Sequence, residues 1–249
     1  MNTVKDVLRE GKTAIGTSAS VKSPVDFLAD AGFDFILFDT QHRAVEIKEL
    51  QYQLQAMKGK RASPVIRVGS NDQAQICYAL DIGARGIIVP MVNTKEEAVD
   101  MINWCKYPPE GKRSSAGMRG EWGEFENYRK YMSAVNGELL IIPMIETMKS
   151  LNNIEDILSV PGIDVLLVGP SDLSINLDLP LDYLNPKYQE TLDHIASACE
   201  NAGVVPGMYF IPGGQDPNDF VERGFRFFTL PWNNWATTGI KEGLASIKR

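Results

Sequence analysis

A single-domain α/β protein of the (β/α)8 TIM-barrel class, covering residues 1–249, is what this sequence predicts. Three observations lead there. Apolar, β-branched runs of strand length recur along the whole chain, and such runs read as strands buried on both faces of a parallel sheet. Amphipathic stretches of helical length alternate with them. The length, 249 residues, suits one such barrel, and no composition shift marks a linker. The competing architecture is an open doubly wound sheet. It would place a Gly-rich dinucleotide turn after its first strand, and Gly16-Thr17-Ser18-Ala19-Ser20 does not match one.

The predicted strands are Ala14–Thr17, Phe35–Asp39, Pro64–Arg67, Gly86–Pro90, Leu139–Ile145, Asp164–Val168, Val204–Phe210 and Phe225–Leu230. Helical stretches between them include Ile47–Met57, Asp72–Ile82, Lys95–Cys105, Ser150–Leu158, Pro186–Asn201 and Pro217–Arg223. Ser23 before Pro24, Asn71 before Asp72 and Asn185 before Pro186 read as helix caps. Gly32, Gly83 and Gly203 stand where a helix gives way to a strand and a left-handed residue is wanted. One stretch breaks the alternation. Residues 107–137 are too long and too rich in Gly and Pro for an ordinary connection, and are expected to hold a short helix near Glu126–Ala134. A lid over the site and a contact loop between subunits are the two readings of that insertion.

Hydrophobic content of 44% with 23% charged residues fits a soluble chain with a sizeable core. The net charge of −7 argues against a nucleic-acid partner, which would call for a basic patch. The amino-terminal stretch lacks the apolar core of a signal peptide, and no apolar run approaches membrane-spanning length. Cys77, Cys105 and Cys199 are widely spaced and odd in number, so reduced structural thiols in a cytoplasmic protein without a membrane partner are expected.

The chemistry is expected at the strand tips, on the face where parallel α/β proteins hold their ligands. Leu139–Ile145 runs into Glu146, and Asp164–Val168 runs through Gly169-Pro170-Ser171 into Asp172. Two carboxylates at consecutive strand ends, with no Cys or His cluster beside them, suggest a hard divalent cation held by oxygen. A helix cap is the plainer reading of either one alone. The Gly169-Pro170-Ser171 turn offers backbone amides to a carboxylate, or to a phosphate. Strand two ends in Asp39-Thr40-Gln41-His42, which puts one of only two histidines beside the same face. His194, within an amphipathic helix, reads as a packing or surface residue. Arg67 closes a buried strand, where a guanidinium needs an anionic partner: either a core carboxylate or a substrate oxygen. No lysine stands at a strand tip as a Schiff-base nucleophile, since Lys112 and Lys149 fall in loop and helix.

Asp39-Thr40-Gln41-His42, Pro64-Val65-Ile66-Arg67, Leu80-Asp81-Ile82-Gly83, Val89-Pro90-Met91-Val92, Tyr107-Pro108-Pro109-Glu110-Gly111, Ile145-Glu146-Thr147 and Gly169-Pro170-Ser171-Asp172-Leu173-Ser174 follow one another in an order that resembles the HpcH/HpaI aldolase family. The resemblance runs from about Gly16 to the last strand. It implies a metal-dependent class II pyruvate aldolase on a (β/α)8 barrel, in a homohexamer whose last helix exchanges with a neighbour. It further implies Glu146 and Asp172 as ligands to Mg²⁺, Mn²⁺ or Co²⁺, with no organic cofactor. Arg67 would bind the ketone oxygen of a 2-oxoacid, with Gly169, Pro170 and Ser171 around its carboxylate. His42 would move a proton, paired with Asp81 of the same chain or of an adjacent subunit. Asp81 by itself reads only as an acid at a helix end.

Three departures stand out. Gln41-His42 replaces the usual Glu-His, Met144 replaces a frequent Gln, and the family's sequences are replaced at Ser114-Ser115-Ala116-Gly117-Met118-Arg119 and Pro231-Trp232-Asn233-Asn234-Trp235. The expected reaction is reversible cleavage of a 4-hydroxy-2-oxoacid to pyruvate, or a related 2-oxoacid, and an aldehyde. The alternatives are another enolate-forming lyase, of citryl-CoA or decarboxylase type, and a non-catalytic barrel. An acidic chain shows no basic cluster to grip a CoA nucleotide. On this reading Arg67→Ala abolishes turnover and leaves folding intact.

Overall fold

The computed structural model describes residues 2–118 and 122–247. Eight parallel strands close into a barrel in chain order: β1 (Ala14–Ala19), β2 (Phe35–Asp39), β3 (Ser63–Arg67), β4 (Gly86–Val89), β5 (Leu140–Ile145), β6 (Val165–Val168), β7 (Val205–Met208) and β8 (Phe227–Thr229). β8 pairs with β1 through Ala14 opposite Phe227 and Gly16 opposite Thr229, so no strand edge is left open. All eight predicted strands are present, most of them trimmed by a residue or two at the ends.

Alternation along each strand divides the core in two. Inward-facing Ala14, Phe35, Leu37, Val65, Ile88, Leu140, Ile142, Val165, Leu167 and Phe227 fill the barrel. Ile36, Phe38, Ile66, Ile87, Ile141, Leu166 and Phe228 point outward into the layer under the helices. The interior is filled tightly enough to demand a glycine. Phe35 and Phe227 stack with centroids 4.3 Å apart, and a Cβ on Gly16 would stand 2.3 Å from the Phe35 ring.

The helices are α1 (Thr3–Arg9), α2 (Val25–Leu28), α3 (Gln51–Ala56), α4 (Gln73–Asp81), α5 (Lys95–Cys105) and α6 (Tyr128–Glu138) in the first part. They continue as α7 (Met148–Asn152), α8 (Ile154–Leu158), α9 (Pro170–Asn176), α10 (Pro186–Ala202), α11 (Pro217–Glu222) and α12 (Trp232–Ala245). α1 was not expected, and it belongs to the barrel. Val4 joins the inner cluster, Asn2 donates to the carbonyls of Arg85 and Glu138, and Lys5 pairs with Asp164 at 2.7 Å. It closes the end of the barrel opposite the strand tips, with one apolar side chain inserted.

Several local expectations need correction. The cap of α4 is Asp72, which accepts from Gln75 N at 2.9 Å, while Asn71 donates to the Glu97 carbonyl. A carboxylate also gains from the positive end of the helix, which an amide does not. Ser23 caps no helix; its hydroxyl accepts from Ser20 N and closes the preceding turn. The predicted helix Ser150–Leu158 is two, α7 and α8, broken at Asn153, whose side chain donates to the Asn93 carbonyl. The stretch from Ile47 opens as a 3-10 turn over Ile47–Leu50 before α3 begins. Asn185 caps α10 as expected, and Gly32, Gly83 and Gly203 have φ of +110°, +109° and +67°.

The insertion does not read as a lid in its described part. Lys112 N donates to the Asn103 carbonyl, Arg113 pairs with Asp81 at the far end of α4, and Asn136 exchanges hydrogen bonds with Tyr107. These contacts hold it against the outer wall, beside α4 and α5. Its helix, α6, begins and ends later than expected; Arg119 lies outside the described residues. Cys105 and Cys199 are buried thiols outside any disulfide, both pushed up to about 12 by burial, and Cys77 is half-buried with its Sγ donating to Asp81. Among the described residues no helix is long and apolar enough to cross a membrane.

Gly16→Ala tests the packing of the interior. The added methyl meets the Phe35 ring face, and overpacking of this kind costs about 1 to 3 kcal/mol. Urea denaturation is expected to show that loss, with Gly213→Ala, whose Cβ meets nothing within 4 Å and whose backbone is not left-handed, as a comparison free of clash and strain.

Candidate active site

The strand tips converge at one end of the barrel, and two electrostatic features meet there. The first is a buried ion pair. Asp39 closes β2 and Arg67 closes the adjacent β3, in register with each other. Arg67 Nε donates to Asp39 Oδ1 at 2.8 Å and Nη2 to Oδ2 at 2.7 Å, a two-point geometry that only a guanidinium provides. Arg67 is 4% exposed. The guanidinium carbon lies 4.1 Å from the centroid of the Tyr209 ring, and Nη1 points to the Met144 thioether at 3.9 Å.

Arg67 therefore has the core-carboxylate partner as well as a remaining nitrogen. Burial pushes the Asp39 carboxyl up, but the Arg67 hydrogen bonds and charge, with the backbone N–H groups of Gln41 and His42, outweigh it and hold the group below its ordinary value. Gln41 N donates to Asp39 Oδ1 at 3.0 Å. One carboxylate thus orients the arginine and ties down the start of the segment carrying His42. The expectation that Arg67→Ala leaves folding intact does not survive this geometry, because removal strands a buried charge at a cost of about 3 to 5 kcal/mol.

The second feature is Glu146, the first residue past β5, only 1% exposed. Its Oε1 accepts from Met91 N at 2.8 Å. Met91 is held at φ +54°, an unusual left-handed backbone for an unbranched side chain, and that conformation aims its N–H at the carboxylate. Among the described residues nothing donates to Oε2. That oxygen sits where a Cβ on Gly169 would be 2.1 Å away, so glycine alone leaves room for it. Burial raises the Glu146 carboxyl above its ordinary value and the nearby Asp172 charge adds to the rise, while the Met91 N–H and Arg67 oppose it. Asp172 is half-buried in the first turn of α9. Neither acid is a helix cap: α7 is capped by Thr147 and α9 starts from Gly169 with no side-chain cap.

A buried carboxylate with one bare oxygen, destabilised by a second carboxylate, is a donor set that fits a hard divalent cation. Among the described residues no group of three or more His, Cys, Asp and Glu is assembled, so such an ion would keep positions for water and substrate oxygens. Gly169, Pro170 and Ser171 form the opening turn of α9, where early backbone N–H groups have no intrahelical acceptor. The structure thus brings together Arg67, Glu146, Asp172 and the start of α9.

It does not bring together His42 and Asp81 within one chain. His42 is exposed on the segment after β2. Asp81 lies at the far end of α4, paired with Arg113 at 3.2 Å and accepting from Cys77 Sγ. His194 is exposed on α10. Sequence reasoning named Asp39 only as a strand tip and gave no role to Met91 or Tyr209. Asp39 was open to inference, since in-register neighbours on adjacent strands that close on opposite charges invite pairing. Met91 carries no sequence signal of its backbone angle.

Known proteins resemble this chain in sequence and in fold. A profile of the HpcH/HpaI aldolase/citrate lyase family matches residues 18–234. The 2-keto-3-deoxy-L-rhamnonate aldolase of Escherichia coli strain K12 is 34% identical over 212 residues, which is 83% of this chain and 78% of that enzyme. The crystal structure of an HpcH/HpaI aldolase from Desulfitobacterium hafniense DCB-2 superposes with a TM-score of 0.87 at 27% identity, covering 98% of this chain and 97% of that one. An HpcH/HpaI aldolase/citrate lyase family protein from Burkholderia cenocepacia J2315 gives 0.86 at 27% identity, covering 98% of both chains.

Asp39→Asn tests the ion pair. Because the folded-state carboxyl is held below its unfolded value, its contribution is complete above about pH 4 and is lost as pH falls through the folded value. The variant is expected to lose about 3 kcal/mol at pH 7. Urea titrations in a pH series are expected to show the gap to the wild type closing below about pH 4.

Proposed function

The chain belongs to the HpcH/HpaI aldolase/citrate lyase family and is a class II aldolase, a carbon–carbon lyase, and from that premise we propose that it reversibly cleaves a 4-hydroxy-2-oxoacid to pyruvate, or a related 2-oxoacid, and an aldehyde. The observation that carries this reading is Glu146: a buried carboxylate with a bare oxygen beside Asp172, at the mouth of a barrel that also presents Arg67. A named 2-keto-3-deoxy-L-rhamnonate aldolase among the relatives supports cleavage of this kind over the citryl-CoA-type reaction.

In this proposal Glu146 and Asp172 hold Mg²⁺, Mn²⁺ or Co²⁺, and no organic cofactor is needed. Such an ion supplies Lewis acidity at the ketone of the 2-oxoacid. Arg67 directs Nη1 toward the oxygen on which negative charge develops, its other donors being engaged by Asp39. In the first turn of α9 the Ser171 N–H is the backbone donor left for the substrate carboxylate, because Pro170 has none and Gly169 N donates to the Ile145 carbonyl. His42 takes the proton from the C4 hydroxyl, in the general-base role that an imidazole most often fills. Asp81 partners His42 across a subunit boundary, the ion pair it makes within the chain being with Arg113. The apolar side chains that α12 leaves exposed, Trp235, Ile240 and Leu244, support a homo-oligomer, with the family hexamer and an exchanged last helix as the proposed form. Small molecules are the partners, and the thiols outside any disulfide and the charge balance support a cytoplasmic enzyme with no nucleic-acid or membrane partner.

The reaction is tested by coupled pyruvate release from 4-hydroxy-2-oxoacids with and without EDTA; no metal-dependent release from any of them rejects it. Glu146→Gln separates metal binding from folding. A raised carboxyl is charged at a cost at neutral pH, so without metal the variant is expected to be at least as stable as the wild type. Adding Mn²⁺ is expected to raise the thermal midpoint of the wild type and not of the variant. Arg67→Lys keeps a charge beside Asp39 but loses the fork. A kcat loss of about a hundredfold or more is expected, with the fold retained by circular dichroism.

A further inference from the structure

The two carboxylates and Arg67 occupy one side of the barrel mouth. The opposite side, between β7, β8 and β1, contains a cavity of 380 Å³. Its position follows from strand alternation. Phe227 faces inward and Phe228 outward, so Thr229 faces inward at the tip of β8. Ala14 faces inward on β1, so Gly16 and then Ser18 do too. Small residues at both tips leave space that larger ones would fill. Tyr209, continuing β7, forms the wall between this cavity and the Arg67 guanidinium.

Two observations give the cavity its chemistry. Thr229 is 6% exposed, and its Oγ1 has no hydrogen-bond partner. A buried hydroxyl left unpaired is costly, and most such groups in folded proteins have a partner. The second is charge. Ser18, Tyr209, Thr229, Trp232, Asn233 and Asn234 line the cavity, and no lining side chain is ionised. A carboxylate or phosphate would find no counter-ion there, and a purely apolar group would leave Thr229 unpaired.

We propose that this cavity is the subsite for an uncharged, hydroxyl-bearing part of the substrate from C3 onward, with the Thr229 hydroxyl as its buried hydrogen-bond partner. The inference rests on the reaction proposed above. A 2-oxoacid directs its carboxylate and ketone oxygens toward the Glu146–Asp172 side. The remaining bond of the trigonal C2, to C3, then points away from β5 and β6. In a ring of eight strands β1 lies across from β5, so C3 and its substituents project toward Ser18 and Thr229.

Thr229→Val, which keeps shape and removes the hydroxyl, tests this, with Thr229→Ser restoring it and Ser18→Ala as a second variant. The hydroxyl recognised can sit on either half of the product. One arm compares hydroxypyruvate with pyruvate, both condensed with acetaldehyde. The other compares glyceraldehyde with propanal, both condensed with pyruvate. The expected result is a fall of about tenfold in the kcat/KM ratio of hydroxylated to deoxygenated partner in one arm, recovered in Thr229→Ser. An unchanged ratio in both arms, for Thr229→Val and Ser18→Ala alike, overturns the subsite. Metal-dependent exchange of the pyruvate methyl protons with D2O, followed by NMR in the same samples, reports the reaction separately. Absence of exchange in the wild type rejects the proposed chemistry and the subsite with it. Exchange with unchanged ratios rejects the subsite alone.

Discussion

The pairing of Asp39 with Arg67 is the constraint on which the mouth of this barrel depends. Both side chains are almost wholly buried, and neither tolerates the position without the other. Their fixed geometry has consequences in three directions. It commits Nε and Nη2 of Arg67 and leaves Nη1 facing the interior. It seats the Tyr209 ring against the guanidinium face, which sets one wall of the neighbouring cavity. It also fixes the backbone after β2 through Gln41 N, which determines where His42 can reach. A strand-tip arginine read alone offers a choice between salt bridge and substrate clamp. The structure shows the salt bridge, and a guanidinium oriented by it would lose little freedom when a ligand arrives.

The carboxylate side works on the opposite principle. Asp39 has every reason to be ionised, whereas Glu146 is held in surroundings that penalise its charge and supply a single backbone donor. That donor requires Met91 to adopt a backbone angle that costs on the order of 1 kcal/mol or more, and a strained residue aimed at a buried acid is a pattern found at functional sites. Gly169 belongs to the same design. Its missing side chain is the space in which Oε2 lies, so the glycine of the Gly-Pro-Ser-Asp turn serves the acid on the neighbouring strand as well as the turn itself.

How much of this was legible in the sequence follows from the range of the interactions concerned. The strands announce themselves because each is buried on both faces, and position relative to a strand end then places Arg67, Glu146 and Asp172 at one end of the barrel. Contacts that join distant segments leave no such mark. Val4 enters the barrel floor from a stretch that looks merely charged, and Asn153 divides a helix by bonding to a carbonyl in another loop. The insertion was open to reading as a lid because its Gly and Pro content says that it is irregular, not where it packs. Arg113 and Asp81 decide that through a pair separated by 32 residues. The cavity beside Tyr209 was illegible for a related reason, since Ser18 and Thr229 matter by being small and adjacent across the β8–β1 seam.

The charge balance of the mouth joins these features. Asp39 and Arg67 cancel, leaving Glu146 and Asp172 with two negative charges that one divalent cation would neutralise. Gln41, two residues past Asp39, is uncharged, and among the described residues its buried Oε1 has no partner, so it adds no third negative charge near the site. The Met144 thioether is a weak acceptor beside Nη1. Arg67 thus meets less competition for its remaining donor than an amide oxygen would offer. Both residues leave the negative charge of the mouth confined to Glu146 and Asp172. A 2-oxoacid is itself an anion, and its approach is opposed by every uncompensated carboxylate within a Debye length. On this argument these two residues and the uncharged cavity between β7 and β1 form a single feature, in which charge is handled on the β5–β6 side and the rest of the substrate by hydrogen bonds and shape.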